Sequence, residues 1–457
     1  MRVPTYNVHR SEIERRDVRA LSTNYVLKGN LCYCKDRARF QTAGYLVCEN
    51  GIWAGAFDAL PERYAAYPLT DYGDKLILPG LCDLHVHAPQ FAYRGLGMDL
   101  ELLEWLNTQA FPEEAKYADE AYAARAYGMF VGALKRSATT RVAVFATLHT
   151  PATLMLMQML EQAGLRGYVG RVSMNRNSPA NLCEASEQAA AEDEEAWIRQ
   201  ANERFQHVLP IVTPRFVPSC TDGLMQRLQA LRERYGLPLQ SHLSENHSEI
   251  DWVRELCPDA KGYADAYDRF GMLEGAIMAH VVYPTDEEIA LLAERGAMVA
   301  HCPASNMNIR SGIAPVRKLL NAGVRVGLGS DVAGGQTVNL FRAITDAIQV
   351  SKLYWRLIDQ DCPPLTLCEA FYLATKGGGA YFGNVGGFEA GYEADAIVVD
   401  DGALAHPQPL TTLQRLERAV YLYPECKIVQ KYIAGKPILC STAEGGAHGR
   451  WQKRQAR

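Results

Sequence analysis

The sequence predicts a (β/α)8 TIM-like barrel, an α/β fold, with a small β domain formed by the N- and C-terminal segments. Two observations predict the barrel: apolar β-like runs alternate with amphipathic helical stretches through the middle of the chain, and eight such runs can be counted. A third observation predicts the small domain, because a β-rich texture occurs at both ends of the chain. With 457 residues, the chain has room for a barrel of roughly 250 residues or more and a smaller domain.

The N-terminal segment, residues 1–75, has a mostly β texture. Its clearest signal is Asn50-Gly51, a dipeptide that supplies the positive φ angles of a tight hairpin turn, flanked by β-forming residues at 44–49 and 52–55. Similar β-like runs return near the other end at 394–400 and 428–435. We therefore expect residues 1–75 and 386–457 to form one small β-sandwich-like domain, and residues 76–385 to form the catalytic barrel.

Within the barrel region the β-like runs and the helical stretches alternate. The eight β-like runs are 76–84, 141–147, 166–174, 209–216, 237–243, 275–280, 297–302 and 324–331. Stretches with helical spacing of apolar residues include 121–135, 224–235, 286–295 and 314–322. A doubly wound open sheet is the alternative that this alternation leaves open.

Composition and charge exclude several classes of protein. The formal net charge is −5 and basic residues cluster only in the tail at 450–457, so no nucleic-acid partner is expected. No run approaches the ~18 apolar residues of a membrane helix, and no secretory leader is recognisable. The twelve cysteines are dilute and form no Cys-x-x-Cys pair. We therefore expect no membrane association, a cytoplasmic location and reduced thiols.

Polar residues at the ends of the runs carry the predicted chemistry, because barrel active sites lie at the C-terminal ends of the strands. The first run leads into His85 and His87, which point to the same face of an extended strand. Later runs place His242, His280 and Asp331 at comparable positions. Nitrogen and oxygen donors from four runs suit zinc, with His85, His87, His242 and Asp331 as the candidate ligands.

The other titratable residues near these ends receive supporting roles. His280 is interpreted as orienting a metal-bound water, with direct ligation as the alternative, and His149 and His301 as bracing the site through hydrogen bonds. Glu245, three residues after His242, can exchange a proton with the nucleophile and the leaving nitrogen. Its alternative is a helix-capping or surface role.

The chain resembles the guanine deaminases within the metal-dependent amidohydrolase superfamily. The His-x-His, His, His, Asp order is typical of the superfamily, whereas Arg215-Phe216 and the passage at 330–335 are narrower features that favour guanine. The passages that carry the resemblance are residues 79–90, 99–106, 145–149, 212–216, 240–246, 300–306 and 327–335.

The resemblance implies one Zn²⁺ per subunit, held by His85, His87, His242 and Asp331, with iron as the alternative metal. One metal is expected because the fourth run contains no lysine, whereas relatives with two metals usually place a carboxylated lysine there. The implied catalytic residues are Glu245, His280 and Asp331. The implied substrate-binding residues are His87, Gln90, Arg215, Phe216, His242, Glu245 and Asp331.

The implied reaction is the hydrolysis of guanine to xanthine and ammonia, within purine catabolism or salvage. Water activated by the metal adds to C2 while Glu245 gives a proton to ring N3, and Glu245 then protonates the departing amino group. The resemblance also implies a homodimer. Two alternatives stay open: a deaminase or chlorohydrolase acting on another purine, pterin or triazine ring, and a non-catalytic interaction protein of the same fold.

Overall fold

The computed structural model describes residues 24–439, and the basic tail at 450–457 lies outside the described residues. The strands are β1 (Tyr25–Asp36), β2 (Arg39–Glu49), β3 (Ile52–Phe57), β4 (Leu69–Pro79), β5 (Leu81–His87), β6 (Thr139–Phe145), β7 (Arg166–Gly170), β8 (Val172–Ser173), β9 (Val208–Pro210), β10 (Thr213–Pro214), β11 (Gln240–Leu243), β12 (Ile277–His280), β13 (Met298–His301), β14 (Arg325–Leu328), β15 (Ala396–Asp400), β16 (Lys427–Ile433) and β17 (Lys436–Pro437).

Helices connect most of these strands. The α-helices are α1 (Leu102–Trp105), α2 (Phe111–Glu114), α3 (Glu120–Arg136), α4 (Thr150–Gln162), α5 (Glu187–Arg204), α6 (Asp222–Tyr235), α7 (His247–Leu256), α8 (Tyr263–Asp268), α9 (Asp286–Glu294), α10 (Pro303–Asn308), α11 (Val316–Asn321), α12 (Leu340–Leu357), α13 (Leu367–Tyr372) and α14 (Thr412–Tyr421). Among the described residues, no helix is long and apolar enough to cross a membrane.

Two four-stranded parallel sheets form the α/β barrel that positions the site. The strand orders are β5-β6-β7-β9 and β11-β12-β13-β14. The sheets are linked on one side by a parallel bridge between Val212 and Leu239. On the other side Asp331 N donates to His85 O at 2.8 Å and His87 N donates to Val332 O at 3.0 Å. The eight predicted runs correspond to these eight strands, with β8 and β10 as short continuations of the third and fourth runs.

A seven-stranded sheet joins the two ends of the chain, in the order β17-β16-β15-β4-β1-β2-β3. Its β2 and β3 form the predicted hairpin, and Asn50 and Gly51 at the turn have φ angles of 53° and 83°. In the middle of this sheet β15, from the C-terminal segment, pairs antiparallel with β4, which pairs parallel with β1. The sheet therefore combines strands from both ends of the described chain, and the division into a β-sandwich-like domain of residues 1–75 and 386–457 and a barrel stays a prediction.

The first predicted barrel strand needs one correction. Residues 76–79 belong to β4 in the seven-stranded sheet, and the barrel strand β5 begins only at Leu81. The chain passes between the two sheets at Gly80, where an added Cβ would lie 2.2 Å from Thr140 Oγ1. The apolar run at 76–84 contributes first to β4 and then to β5. Because its hydrophobic pattern has no break between the two strands, the sequence alone predicts one strand.

Candidate active site

Two histidines at the C-terminal end of β5 form one wall of the site. Every residue of β5 is buried. His85 and His87 face the barrel interior, and the intervening Val86 packs in the main hydrophobic core. The ring of Phe145, at the end of β6, lies 4.8 Å from the His85 ring and 4.7 Å from the His87 ring. Strand alternation and this aromatic contact fix the direction of both imidazoles.

His242, near the end of β11, faces this pair. Its Nε2 lies 3.1 Å from His87 Nε2, and its Nδ1 lies 2.6 Å from the backbone oxygen of Arg215. A carbonyl oxygen only accepts hydrogen bonds, so Nδ1 of His242 carries the proton and donates it. The Nε2 lone pair of His242 is thereby directed into the site.

Asp331 follows β14 and contacts several of the histidines. Its Oδ1 lies 3.1 Å from His85 Nε2 and 3.6 Å from His87 Nε2, and its Oδ2 lies 3.7 Å from His280 Nε2. Asp331 and His280 have φ angles of 44° and 75°, in the left-handed region that residues other than glycine rarely adopt. Such conformations are concentrated at functional sites, where the surrounding fold enforces them.

Glu245 and His280 form the second wall. Glu245 Oε2 lies 3.3 Å from His280 Nε2, and Ser311 Oγ donates to Glu245 Oε1 at 3.2 Å. His280 Nδ1 is 2.9 Å from Oδ1 of Asn306, which orients the ring. Glu245 is buried beside these groups. The predicted proton carrier and the predicted water-orienting histidine are therefore in direct contact.

Burial and neighbouring charges set the protonation of the cluster. Burial, followed by neighbouring imidazoles, lowers the pKa of His87 and His242 well below its usual value, and burial also lowers the pKa of His85. For Asp331, burial acts to raise the pKa, but His85 and His280 hold it below its usual value. These shifts favour neutral imidazoles at His85, His87 and His242 and an ionised Asp331 carboxylate, which are the protonation states of metal ligands.

The pKa of Glu245 moves in the opposite direction. Burial and the carboxylates of Asp331 and Glu249 raise it well above the usual value for glutamic acid. A carboxyl group whose pKa is raised holds a proton more readily than an ordinary glutamic acid, which favours a role in general acid and base catalysis.

The donor set fits a divalent cation such as zinc. His85, His87 and Asp331 offer ligand atoms within 4.8 Å of one another, as do His85, His242 and His280. The facing nitrogens of His87 and His242 are buried, and both ring nitrogens of His85 have no hydrogen-bond partner among the described residues. Neutral imidazole nitrogens that converge in this way are donors of the kind that zinc binds in proteins.

Two cysteines that the sequence places beside the site, Cys302 and Cys82, are predicted to be buried fillers, but only Cys302 adjoins the cluster, because Cys82 lies at the start of β5. The Cys302 sulfur lies within 4.8 Å of ligand atoms of His280 and Asp331. Burial raises the pKa of the Cys302 and Cys82 thiols, and Cys302 Sγ donates to Ala300 O at 3.3 Å. Since the thiolate is the metal-binding and nucleophilic form, neither cysteine is suited to those roles.

The bracing roles predicted for His149 and His301 stay predictions. Neither ring nitrogen of His301, nor Nε2 of His149, has a hydrogen-bond partner among the described residues. His149 lies at the N-terminal end of α4 and is only partly buried. The hydrogen-bonded partner of His280 is Asn306 instead. A position at a strand end predicts where a residue lies in the barrel but not which side chain it contacts.

A second set of buried side chains lies beside the histidines. Gln90 Nε2 donates to Glu114 Oε1 at 2.8 Å, and Ala333 N donates to Gln90 Oε1 at 3.2 Å. Arg215 forms two hydrogen bonds to Glu114, from Nη1 to Oε2 at 2.6 Å and from Nη2 to Oε1 at 3.1 Å. Two of the residues that the resemblance implies for substrate binding are therefore joined by one carboxylate.

The aromatic side chains of this region differ in their surroundings. Phe216 is buried and packs edge-on against Trp252 of α7, with ring centroids 6.1 Å apart. The Arg215 guanidinium lies 5.0 Å from the ring centroid of Phe111. Aromatic rings therefore flank the Arg215 region, with Phe111 against the guanidinium and Phe216 against Trp252.

The contacts of Glu114 with Gln90 and Arg215, and of Asn306 with His280, are not predicted from the sequence. A buried arginine needs a counter-charge, so an acidic partner for Arg215 could have been expected in general terms. Which of 52 acidic residues supplies it could not be read from a single sequence. Asn306 lies in a passage that carries the resemblance, but nothing in its spacing indicates a contact with His280.

Comparison with known proteins is consistent with this geometry. The sequence profile of the Amidohydrolase family matches residues 76–438. A guanine deaminase from Dictyostelium discoideum is 38% identical over 376 residues, which cover 80% of this chain and 83% of that protein. The guanine deaminase of Escherichia coli K12 is 33% identical over 399 residues, covering 85% of this chain and 88% of that protein.

A solved structure extends the likeness to three dimensions. The crystal structure of guanine deaminase from C. acetobutylicum with guanine bound in its active site superimposes with a TM-score of 0.88 at 42% sequence identity. The superposition covers 91% of this chain and 100% of that one. The chain therefore belongs to the amidohydrolase family and, within it, to the guanine deaminases.

Proposed function

We propose that this protein deaminates guanine hydrolytically to xanthine and ammonia, with one zinc ion held by His85, His87, His242 and Asp331. The observation that carries the proposal is the juxtaposition of two sets of side chains at one end of the barrel. One set has the ligands and the proton carrier of a hydrolytic metal site. The other, around Gln90 and Arg215, presents fixed hydrogen-bonding groups beside it.

Contacts within the fold orient the four residues that would hold the metal. His85 and His87 are set by strand alternation, His242 by the carbonyl of Arg215, and Asp331 by its backbone hydrogen bond to His85 O. A bound zinc ion lowers the pKa of a coordinated water toward ~7 and so supplies a nucleophile at neutral pH. Iron is the alternative metal for the same ligands.

Glu245 moves the protons of the reaction. As water adds to C2 of guanine, the Glu245 carboxylate takes one proton from the water and delivers it to ring N3. After this addition C2 is tetrahedral. Glu245 takes the second proton and passes it to the amino group, the C2–N bond breaks, ammonia leaves and xanthine remains. His280, 3.3 Å from Glu245, orients the nucleophile, and Asp331 carries a negative charge that stabilises a cationic centre.

The pocket beside the cluster recognises the base. Guanine offers O6 and N7 as acceptors on one edge, which suit the guanidinium of Arg215. The amide of Gln90 can donate to and accept from neighbouring ring atoms, and Phe216 supplies an apolar surface. A homodimer and a place in purine catabolism or salvage remain predictions from the resemblance, and size-exclusion chromatography with light scattering tests the first.

Guanine turnover with metal analysis on the same sample tests the proposal. We expect xanthine and ammonia in equal amounts, and about one zinc per chain. His242→Ala should lose the metal and the activity, because one of four ligands and its fixed lone pair are removed. His406→Ala, which replaces an exposed histidine in the C-terminal segment, is the matched control and should keep both.

Two outcomes would contradict the proposal. Unchanged metal content in His242→Ala would remove His242 from the ligand set. Ammonia release from another purine, a pterin or a triazine, with none from guanine, would show that the same chemistry serves a different ring. A panel of these compounds belongs in the same assay.

A further inference from the structure

Glu114 is a buried carboxylate at the end of α2 whose two oxygens are both engaged in the base pocket. Oε1 accepts from Gln90 Nε2 at 2.8 Å and from Arg215 Nη2 at 3.1 Å, and Oε2 accepts from Arg215 Nη1 at 2.6 Å. All three side chains are buried. Charge-assisted and bidentate hydrogen bonds of this kind are strong and geometrically specific.

The carboxylate determines the orientation of the Gln90 amide. Gln90 donates to Glu114 at one end and accepts from Ala333 N at the other. If the amide turned by 180°, its oxygen would face the carboxylate and its NH₂ would face the Ala333 N–H, so both hydrogen bonds would be lost. A side-chain amide has two N–H donors and two acceptor sites. Gln90 therefore keeps one N–H and one lone pair, in a fixed order, for a ligand.

The same carboxylate orients Arg215 and balances its charge. The bidentate pair with Glu114 uses one N–H on each terminal nitrogen of the guanidinium, and the Phe111 ring packs against it at 5.0 Å. The remaining N–H groups can only be directed elsewhere. Because a buried arginine close to a divalent metal site would otherwise be repelled, Glu114 also compensates the positive charge on that side of the pocket.

These contacts connect the base pocket to the metal cluster. The backbone oxygen of Arg215 accepts from His242 Nδ1, while its side chain binds Glu114. Gln90 accepts from Ala333, two residues after Asp331. A continuous path of hydrogen bonds and covalent bonds therefore runs from one predicted metal ligand, through Arg215, Glu114 and Gln90, to the segment that carries another.

We propose that Glu114 is the positioning residue that determines which base this enzyme accepts, by fixing the donor and acceptor order of Gln90 and the direction of the Arg215 fork. The inference rests on the proposed deamination of guanine and deepens it. Glu114 itself acts through the other two side chains. Its loss should therefore alter selectivity between bases, and not only the amount of active enzyme.

The base 2,6-diaminopurine is the probe for this role. It keeps the 2-amino group and the ring of guanine but carries an amino donor where guanine has the O6 acceptor. A rigid arginine fork should reject that donor, since a site built for hydrogen bonds discriminates strongly against a mismatched group. We compare kcat/KM for guanine with the inhibition constant of 2,6-diaminopurine as a competitor of guanine.

Glu114→Gln removes the charge and places an amide NH₂ against donors, with almost no change in shape. We expect kcat/KM for guanine to fall about 10- to 100-fold, mainly through KM, while the inhibition constant of 2,6-diaminopurine changes less than about threefold. Metal content should stay at the parent value, and Glu114→Asp, which keeps the charge, should recover part of the selectivity.

The matched control is Glu113→Gln, the same change at the adjacent carboxylate. Glu113 accepts from Lys116 Nζ at 2.6 Å and from the Tyr122 hydroxyl, and contacts neither Gln90 nor Arg215 in the hydrogen bonds of the described chain. Its variant should keep the parent's selectivity. In a Gln90→Ala background, the effect of Glu114→Gln should shrink, because the two residues act on one recognition step.

The inference is overturned if Glu114→Gln weakens guanine and 2,6-diaminopurine by the same factor, or loses metal, since either result indicates a structural role. If Glu114→Gln does not fold, Glu114→Ala decides the question: a parent-like ratio of the two bases contradicts the inference and a relaxed ratio supports it. Failure of the proposed function is recognised separately, because the parent enzyme itself would then form no xanthine from guanine.

Discussion

At the scale of single residues, Glu245 provides the sharpest test of the proposed chemistry. Glu245→Gln keeps the side-chain shape but cannot carry the proton between water, N3 and the amino group. We expect turnover to fall about 10²- to 10⁴-fold, the usual contribution of a general acid and base, while the metal content stays at the parent value. Steady-state rates with guanine and elemental analysis measure the two quantities.

The matched control for this test is Glu255→Gln, an exposed glutamate on α7, the helix that follows Glu245. It should retain parent activity. Near-normal turnover in Glu245→Gln would assign the proton transfers to another group. The alternative interpretation of Glu245 as a surface or capping carboxylate predicts that outcome.

The residues of the cluster were predictable because strand ends define their positions. Each of these residues lies within the last three residues of a barrel strand or follows one, so a parallel arrangement brings them to one end of the fold: His85, His87, His242, His280 and Asp331. Glu114 comes from a short helix between two strands, and no periodicity fixes where such a segment lies. Its partners are 24 and 101 residues away along the chain, a separation that a single sequence does not reveal.

At the scale of elements, the start of α7 holds Glu245 in place. Glu249, at the third position of this helix, accepts from the backbone N–H of Glu245 at 2.8 Å and from the Tyr263 hydroxyl at 2.7 Å. It also forms a capping box with Asn246. The first turn of α7 therefore fixes the backbone of Glu245, the proposed proton carrier.

Glu249→Ala should lower both stability and activity. Loss of the cap costs about 0.5–2 kcal/mol of unfolding free energy, and the freed Glu245 backbone should reduce turnover roughly 10- to 100-fold. Glu288→Ala breaks the equivalent capping box of α9, which contains no predicted site residue. Denaturant unfolding should show a loss in both variants, and guanine turnover a loss only in Glu249→Ala. Equal losses of turnover in Glu249→Ala and Glu288→Ala would show that Glu249 contributes to folding and not to the position of Glu245.

Elements were predicted less well where one apolar run serves two sheets. The alternation of strands and helices is visible because each has its own hydrophobic period. The transition at Gly80 is set by the close approach of Thr140, a tertiary contact. For the same reason, residues 76–79 were assigned to the barrel although they pair with β1 and β15.

At the scale of the whole molecule, charged side chains join the seven-stranded sheet to the barrel. Arg141 of β6 donates from Nε to Asp395 Oδ2 at 2.7 Å, and its Nη2 donates to Glu393 Oε2 at 2.8 Å. Asp395 and Glu393 each lie more than 250 residues from Arg141 in the sequence. The β-rich composition of the N- and C-terminal segments predicts that both contribute strands to one sheet. The side-chain contacts that attach this sheet to the barrel cannot be predicted from composition.

Lys431 of β16 makes a second connection and gives the molecule a pH-dependent stability. It is fully buried, and its Nζ donates to Leu134 O at 2.9 Å and to Thr139 O at 2.8 Å. A neutral amine has two N–H groups, so both bonds are kept without a charge. Burial lowers the pKa of Lys431 to about 7; nearby Asp395 raises it and Lys135 lowers it.

Between this pKa and the ordinary value of about 10.4, the unfolded chain binds a proton at Lys431 that the folded chain does not. Stability contributed by this group therefore rises with pH from about 7 to about 10 and is lost as pH falls toward 7, with a slope of at most about 1.4 kcal/mol per pH unit. Lys431→Met should remove that slope, and urea unfolding between pH 7 and 9 measures it. The variant also leaves the carbonyls of Leu134 and Thr139 unpaired, but that loss of stability is the same at every pH and does not change the slope. Lys427→Met, at an exposed position on the same strand, should unfold with the pH dependence of the parent. A parent-like slope in Lys431→Met would mean that the buried lysine is charged in the folded protein, held by the two carbonyls and Asp395.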